Sequence, residues 1–107
     1  DWDQVGIYSI AFGLNNVASG ESSFAIGHGN MASGDRSVAM GTRATASGSS
    51  SMAIGFYVDT DGKEGSVILA DNRNFTSGPL KSSSVRQFTA RFAGGYQLFT
   101  SSDLSTG

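Results

Sequence analysis

The sequence predicts an all-β protein built as a stack of short parallel coils. First, a pentad of the pattern Ser-x-Ala-x-Gly recurs every 14 residues, in copies that begin at Ser9, Ser23, Ser37 and Ser51. Second, large and small residues alternate within each pentad, which is the period-2 pattern of a β-strand with two different faces. Third, only 38% of the 107 residues are hydrophobic and 15 are glycine, a composition that favours stacked repeats over one compact core.

A second motif divides each repeat into two halves. The triad Ala-Ser-Gly occurs at 18–20, 32–34 and 46–48, and a decayed copy, Thr-Asp-Gly, occurs at 60–62. Each half ends in glycine, which accepts positive φ and close backbone approach, so seven residues can hold a strand and a tight turn. We therefore expect two strands and two turns in every coil.

Stacking these coils in register, roughly 4.8 Å apart, produces two rows of large apolar side chains. The interior of a 14-residue coil is narrow and suits Ala, Ser and Gly better than Phe or Met. We expect the large residues to project outward onto a core shared between subunits, although the opposite assignment, with large residues inside the coil, stays open. The two rows consist of Ile10, Phe12, Phe24, Ile26, Val38, Met40, Met52 and Ile54.

The repeats divide the chain into three predicted parts. Residues 1–7, with the only tryptophan, Trp2, form an N-terminal cap over the open end of the stack, and residues 8–62 form the coils. Residues 63–107 form a small non-repetitive β cap. Within it, alternating residues from Gln87 to Phe92 and the turn-forming Gly94-Gly95 predict a β-hairpin over about 85–100.

The repeat resembles the head repeats of trimeric autotransporter adhesins of the YadA type. Their unit reads approximately Ser-Val-Ala-Ile-Gly followed by Ala-x-Ala-x-Gly, which residues 37–41 and 44–48 match closely. The resemblance implies a left-handed parallel β-roll of 14-residue coils, three of which join about a three-fold axis as a homotrimer. It covers residues 8 to about 62.

The C-terminal segment resembles a different block, found in phage tail fibres and bacterial trimeric fibres before a self-cleaving intramolecular chaperone. The likeness lies in Ser-Val-Ile-Leu-Ala-Asp at 66–71 and in residues 87–96. It implies that the natural chain continues past Gly107 into that chaperone, and that this segment is the distal tip of a mature fibre.

Charge and residue types exclude several other functions. Seven Lys and Arg against nine Asp and Glu, without a basic run, give no electrostatic footprint for nucleic acid or an anionic membrane surface, and no apolar stretch is long enough to span a bilayer. The chain has no Cys and one His, His28, so it lacks a nucleophile dyad and the usual zinc ligands. We expect no catalytic site, no metal and no cofactor.

The segment Asp59-Thr60-Asp61-Gly62-Lys63-Glu64 has a superficial likeness to a calcium-binding loop. It lacks the third oxygen ligand before its glycine and the distal Glu, so a turn between subdomains is the better interpretation. The charged residues Glu21, Arg36 and Arg43 occupy variable turn positions, where a solvated outer surface is the expected role.

The best candidates for recognition lie in the C-terminal cap, because carbohydrate sites combine an aromatic face with planar amide and guanidinium donors. We expect an extracellular adhesive tip, on a bacterial surface or outer-membrane fibre or on a phage tail fibre, that binds a glycan or protein of a target cell through three-fold contacts. A purely structural spacer is the alternative, and a monomeric solenoid, including an ice-binding one, would leave the apolar rows exposed. The candidate ligand-binding residues are Asn72, Arg73, Asn74, Arg91, Tyr96 and Gln97.

Overall fold

The structure is a computed structural model that describes residues 5–72 and 78–102, and every regular element in those ranges is a β-strand. Most strands are four or five residues long and alternate with two-residue strands. They are β1 (Ile10–Leu14), β2 (Phe24–His28), β3 (Met31–Ala32), β4 (Val38–Thr42), β5 (Thr45–Ala46), β6 (Met52–Phe56), β7 (Val58–Asp59), β8 (Val67–Ala70), β9 (Leu80–Lys81) and β10 (Phe88–Arg91).

The strands form two parallel sheets that make the two sides of a solenoid. One sheet has the order β1-β2-β4-β6-β8-β10 and the other β3-β5-β7-β9. Each strand pairs with its equivalent one coil away, so that Phe24 lies beside Val38, which lies beside Met52. The predicted fold class, an all-β parallel stack of 14-residue coils, is confirmed.

Small side chains fill the interior of the coils. Ala25, Ala39 and Ala53, the central residues of three pentads, are completely buried. The large residues on either side of each alanine point out of the coil, because neighbouring side chains of a strand alternate between its faces. The expected assignment, with small residues inside and large residues outside, is therefore the one the structure adopts.

The pentad serine is also an interior residue, and its hydroxyl closes the turn before the long strand. Ser9 Oγ donates to the Gly6 carbonyl at 2.6 Å, Ser23 Oγ to the Gly20 carbonyl at 2.7 Å. Both carbonyls lie three residues earlier in the chain. This local bond accounts for serine in the first two pentads, whereas Ser51 Oγ pairs with Thr60 Oγ1 at 3.1 Å and Ser37 Oγ is buried without a hydrogen-bond partner among the described residues.

Two asparagines line the opposite interior corner. Asn30, 1% exposed, donates from Nδ2 to the carbonyls of Ile26 and Gly41, both at 2.8 Å, and its Oδ1 accepts the Ala44 N–H at 2.9 Å. Asn16 makes the equivalent carbonyl bonds, and its Oδ1 accepts from the Asn30 backbone at 3.1 Å. The ladder ties consecutive coils together and stops where Ala44 replaces asparagine.

The coil stack continues past residue 62, where its end was predicted. β8 pairs in parallel with β6, and β10 pairs in parallel with β8. The 14-residue spacing is not kept in these coils. Val67 lies 15 positions after its equivalent Met52, and Phe88 lies 21 positions after Val67. One extra residue precedes β8 and seven lie between β8 and β9, so the loss of period marks insertions into coils.

The predicted β-hairpin over about 85–100 does not form in the described residues. β10 pairs in parallel with β8, and residues 92–100 contain a turn but no strand. The Gly94-Gly95 turn is present, with the Gly95 N–H donating to the Phe92 carbonyl at 3.0 Å. The alternating residues of β10 continue the parallel sheet on β8, and residues 95–100 form no ladder on the other edge of β10.

The described N-terminal residues also belong to the coil stack. Val5 forms a parallel bridge with Ala18, and the Gly6 N–H donates to the Ala18 carbonyl at 2.7 Å. Trp2 lies outside the described residues, so its covering role stays a prediction.

Candidate functional site

The outer side of the six-stranded sheet carries an unbroken apolar surface, which we call the apolar face. The register aligns two rows of six residues, and eleven of these twelve are larger than alanine. The side chains that end the rows are widely exposed, with Ile10 at 52%, Phe12 at 69% and Phe88 at 67%. The rows are Ile10, Phe24, Val38, Met52, Val67, Phe88 and Phe12, Ile26, Met40, Ile54, Leu69, Ala90.

This apolar face is much larger than the scattered apolar residues of an ordinary surface. Six strands at about 4.8 Å extend it over roughly 24 Å along the stack. Contiguous exposed apolar patches of this kind mark sites of association with another protein or a membrane. A third row at the edge of the face, Leu14, His28, Thr42 and Phe56, is of mixed polarity.

The outer side of the four-stranded sheet has a different chemistry. Successive strands place Met31, Thr45, Asp59 and Lys81 in one row. A charged pair at one end of this row and a threonine in its middle favour contact with water. The contrast between the two sheets makes the apolar face the surface that needs a partner.

Beyond β8 and β10, polar bonds join the two segments that leave the stack at the C-terminal end. The Asp71 carboxylate accepts from the Arg91 guanidinium and, at 2.9 Å, from the Ala93 N–H. Both charged side chains are about three-quarters buried, at 25% and 26% exposure. The pair therefore fixes the start of the insertion after β8 against the segment that follows β10.

Tyr96 closes the same region from the other side. Its hydroxyl donates to the Ala90 carbonyl at 2.8 Å and accepts the Phe92 N–H at 3.3 Å. Its ring meets the Phe92 ring edge to face, with centroids 5.9 Å apart. Tyr96 is nevertheless 59% exposed, so one side of the ring is open to solvent.

The predicted recognition residues have different environments. Asn72 and Gln97 are exposed, and Arg73 and Asn74 lie outside the described residues. Arg91 is held by Asp71, which suits it to positioning the tip rather than to free contact with a ligand. Arg91 and Tyr96 share one neighbourhood, since the Tyr96 hydroxyl binds the carbonyl next to Arg91 in β10.

Asp71 is the tip residue that sequence reasoning missed. Its position at the end of an apolar strand indicated only a turn. The signal that could have identified it is its place next to Ala70, the register partner of Arg91, which is visible only once residues 66–70 and 87–91 are recognised as copies of the pentad.

The calcium-like segment forms a turn that is bonded to the preceding coil, since the Gly62 N–H donates to Ser47 Oγ at 2.8 Å. The Asp61 N–H donates to Asp59 Oδ1 at 2.7 Å, and Lys63 Nζ lies 3.9 Å from Asp61 Oδ2. In residues 5–72 and 78–102, no three His, Cys, Asp or Glu residues are grouped closely enough to hold a metal ion. Within the same ranges, no helix is long and apolar enough to cross a membrane.

Comparison with protein families identifies two copies of the YadA head domain repeat, at residues 5–30 and 32–57. Residues 5–57 are therefore similar to a YadA head domain, as the resemblance of the pentads implied. The comparisons give no support to the likeness between the C-terminal block and phage tail fibres. Comparison with curated proteins and with solved structures found no match.

Proposed function

We propose that this chain, whose residues 5–57 are similar to a head domain of the YadA type, is a segment of a trimeric extracellular adhesin. Three chains associate through their apolar faces, and the stacked coils form a rod that holds the C-terminal tip away from the bacterial surface. The observation that carries the proposal is the apolar face, found on a chain whose repeats match an adhesin head.

The energetics of the coil support association. The interior of a single chain holds mainly alanine, serine and asparagine, so it removes little apolar area from water. Fully burying one Phe, Ile, Leu, Met or Val side chain contributes about 1.5–3 kcal/mol. Packing eleven such residues per chain against neighbouring subunits therefore supplies the core that the coils lack.

A charge in the centre of the apolar face tests this association. Ile26→Asp would bury a carboxylate near its symmetry copies and should convert the assembly to single chains. Thr45→Asp is the matched control. Thr45 is also half-buried, but it lies on the other sheet, in a row that already contains a carboxylate, Asp59. Light scattering should give the wild-type mass for Thr45→Asp; retention of that mass by Ile26→Asp would contradict the proposed interface.

We further propose that the tip binds a cell-surface glycan through Asn72, Tyr96 and Gln97. The exposed side of the Tyr96 ring can pack on a sugar, and the two exposed amides can hydrogen-bond to its hydroxyls. Three weak sites on one rigid rod gain avidity without a strong single contact. The competing function is that of a structural spacer. The competing location is a phage tail fibre in place of a bacterial fibre.

A glycan array separates the adhesin from the spacer. The wild-type assembly should bind a defined subset of glycans, and Tyr96→Ala or Gln97→Ala should lose that binding while keeping the wild-type mass. Thr100→Ala, which changes another exposed residue of the same segment, serves as the control. Binding unaffected by the first two substitutions would remove the tip site, and absence of all glycan binding would favour the spacer.

A further inference from the structure

A second polar surface lies on the turn that follows the long strands, and we call it the turn ridge. It consists of Asn15, Gly29, Arg43 and Tyr57, which occupy equivalent positions in successive coils. All four have left-handed backbone conformations, with φ between 56° and 71°. Three coil spacings of about 4.8 Å give the ridge a length of roughly 14 Å.

Arg43 provides a preorganised cation on this ridge. Its guanidinium carbon lies 4.4 Å from the centroid of the Tyr57 ring, so the ring holds the guanidinium group in place. Arg43 is exposed, and in residues 5–72 and 78–102 no carboxylate forms an ion pair with it. A stacked guanidinium keeps N–H donors at its edge that match a carboxylate in bidentate geometry.

Gly29 leaves a notch beside this cation. The other three ridge residues adopt nearly the same φ with a side chain present, so the turn itself does not require glycine. A Cβ at Gly29 would meet only Arg43 Cγ, at an ordinary 3.8 Å. The missing side chain instead leaves space between Asn15 and Arg43, next to the exposed His28.

We infer that the turn ridge binds a carboxylate-bearing saccharide. The sugar carboxylate pairs with the Arg43 guanidinium, the ring enters the notch at Gly29, and its hydroxyls hydrogen-bond to Asn15 and His28. An acidic peptide would be better matched by several cations in a row, whereas the ridge offers one charge flanked by an amide and an imidazole. The inference goes beyond the proposed function because the ridge lies on the first four coils, outside the C-terminal tip.

The direct test measures binding of a hyaluronan decasaccharide, which has carboxylates but no sulfate, with neutral dextran as the comparison ligand. Arg43→Gln should weaken hyaluronan binding by about tenfold or more, because a bidentate charge-assisted contact is lost. Arg36→Gln is a closely matched control: Arg36 is exposed, has the same φ of 57° and has no ion pair among the described residues. Its binding should stay within about twofold of wild type, since both variants change net charge equally.

A second variant tests the notch without removing the cation. Gly29→Asn puts at position 29 the residue type that Asn15 has one coil earlier. The turn should accept this residue, so the thermal midpoint should be retained. The added side chain should fill the notch, so hyaluronan binding should be lost. Equal binding by wild type and Arg43→Gln, equal losses in Arg43→Gln and Arg36→Gln, or no binding by wild type would overturn the inference. Tighter binding of a glutamate-rich peptide than of hyaluronan would overturn the assignment to a saccharide.

The mass of the same samples separates this inference from the proposed function. A trimer that does not bind hyaluronan would remove the ridge site and leave the adhesin proposal intact. A monomer that binds hyaluronan and loses binding in Arg43→Gln would support the ridge site and contradict the trimer.

Discussion

Gly41 and Gly62 both have positive φ, but only Gly41 lies where a side chain has no room. A Cβ at Gly41 would be 2.1 Å from the Gly55 carbonyl oxygen in the next coil, whereas a Cβ at Gly62 would meet no atom within 4 Å. The pentad glycine is therefore needed for the close approach of successive coils as well as for its backbone conformation. Gly62 is needed for its conformation alone.

Gly41→Ala should consequently destabilise the protein far more than Gly62→Ala. Both substitutions add backbone strain of about 1–2 kcal/mol, and Gly41→Ala adds a clash between coils that raises the total by at least about 2 kcal/mol. Urea unfolding at one fixed chain concentration measures the difference in free energy of unfolding. Equal losses in the two variants would show that the spacing between coils does not depend on this glycine.

Asn30 is the second residue whose role is structural rather than functional. Its side chain donates to two part-buried carbonyls of the coil backbone and accepts from one buried N–H. A buried backbone group that loses its partner costs about 1–3 kcal/mol. The residue therefore holds the narrow corner of the coil together.

Asn30→Ala should lower the free energy of unfolding by about 1–3 kcal/mol, because the buried Ala44 N–H loses its partner. Asn72→Ala, on an exposed asparagine, should change it by less than about 0.5 kcal/mol. Chemical denaturation with matched chain concentrations provides both values. A loss below about 1 kcal/mol in Asn30→Ala would mean that water or a relaxed turn replaces the amide.

At the scale of strands and turns, the first four coils follow directly from sequence. Their pentads keep alanine at the interior position and glycine at the close approach, so spacing alone predicts the pairing. The fifth copy has Ile68 and Ala70 at these positions, and the sixth has Thr89 and Arg91. With the marker residues and the 14-residue spacing both changed, the pattern favoured a separate cap and a hairpin.

In the C-terminal tip, too, the sequence predicts only part of the structure, but for a different reason. Exposed turn residues such as Asn72 and aromatic residues such as Tyr96 can be proposed from residue type. The bond between Asp71 and Arg91 joins residues 20 positions apart and depends on the pairing of β8 with β10. Sequence reasoning that placed β10 in a hairpin could not bring these two side chains together.

The insertion between β8 and β9 should be removable if the coil stack truly continues through it. Deleting residues 73–79 restores a 14-residue spacing and places Asn72 at the position that Tyr57 occupies one coil earlier. Tyr57 has a φ of 56°, and asparagine accepts this conformation. The variant should keep the β-type circular dichroism spectrum and a cooperative thermal transition.

Deleting the seven residues 57–63 instead provides a control of equal length, because it removes β7 from the four-stranded sheet. That variant should lose the cooperative transition. If the first deletion also abolished cooperative unfolding, the segment after β8 would be an integral part of the fold rather than an insertion into a coil.

At the scale of the whole molecule, the two sheets assign different roles to the two sides of the solenoid. The coil interior holds mostly small side chains, with Val58 and Ile68 as its larger members, and most other large apolar residues of the long strands lie on the outer face of the six-stranded sheet. The chain thus has its largest apolar surface outside its own core. We therefore expect the subunits to associate through that face.

The claim that subunits associate through this face is tested by the solution mass of the chain. Light scattering at micromolar chain concentration, repeated after tenfold dilution, should give about 33 kDa at both concentrations, three chains of 11.0 kDa each. A stable trimer would agree with the apolar face as a shared core. A folded monomer of 11.0 kDa at both concentrations would contradict the claim, because the apolar face would then be stable in contact with water.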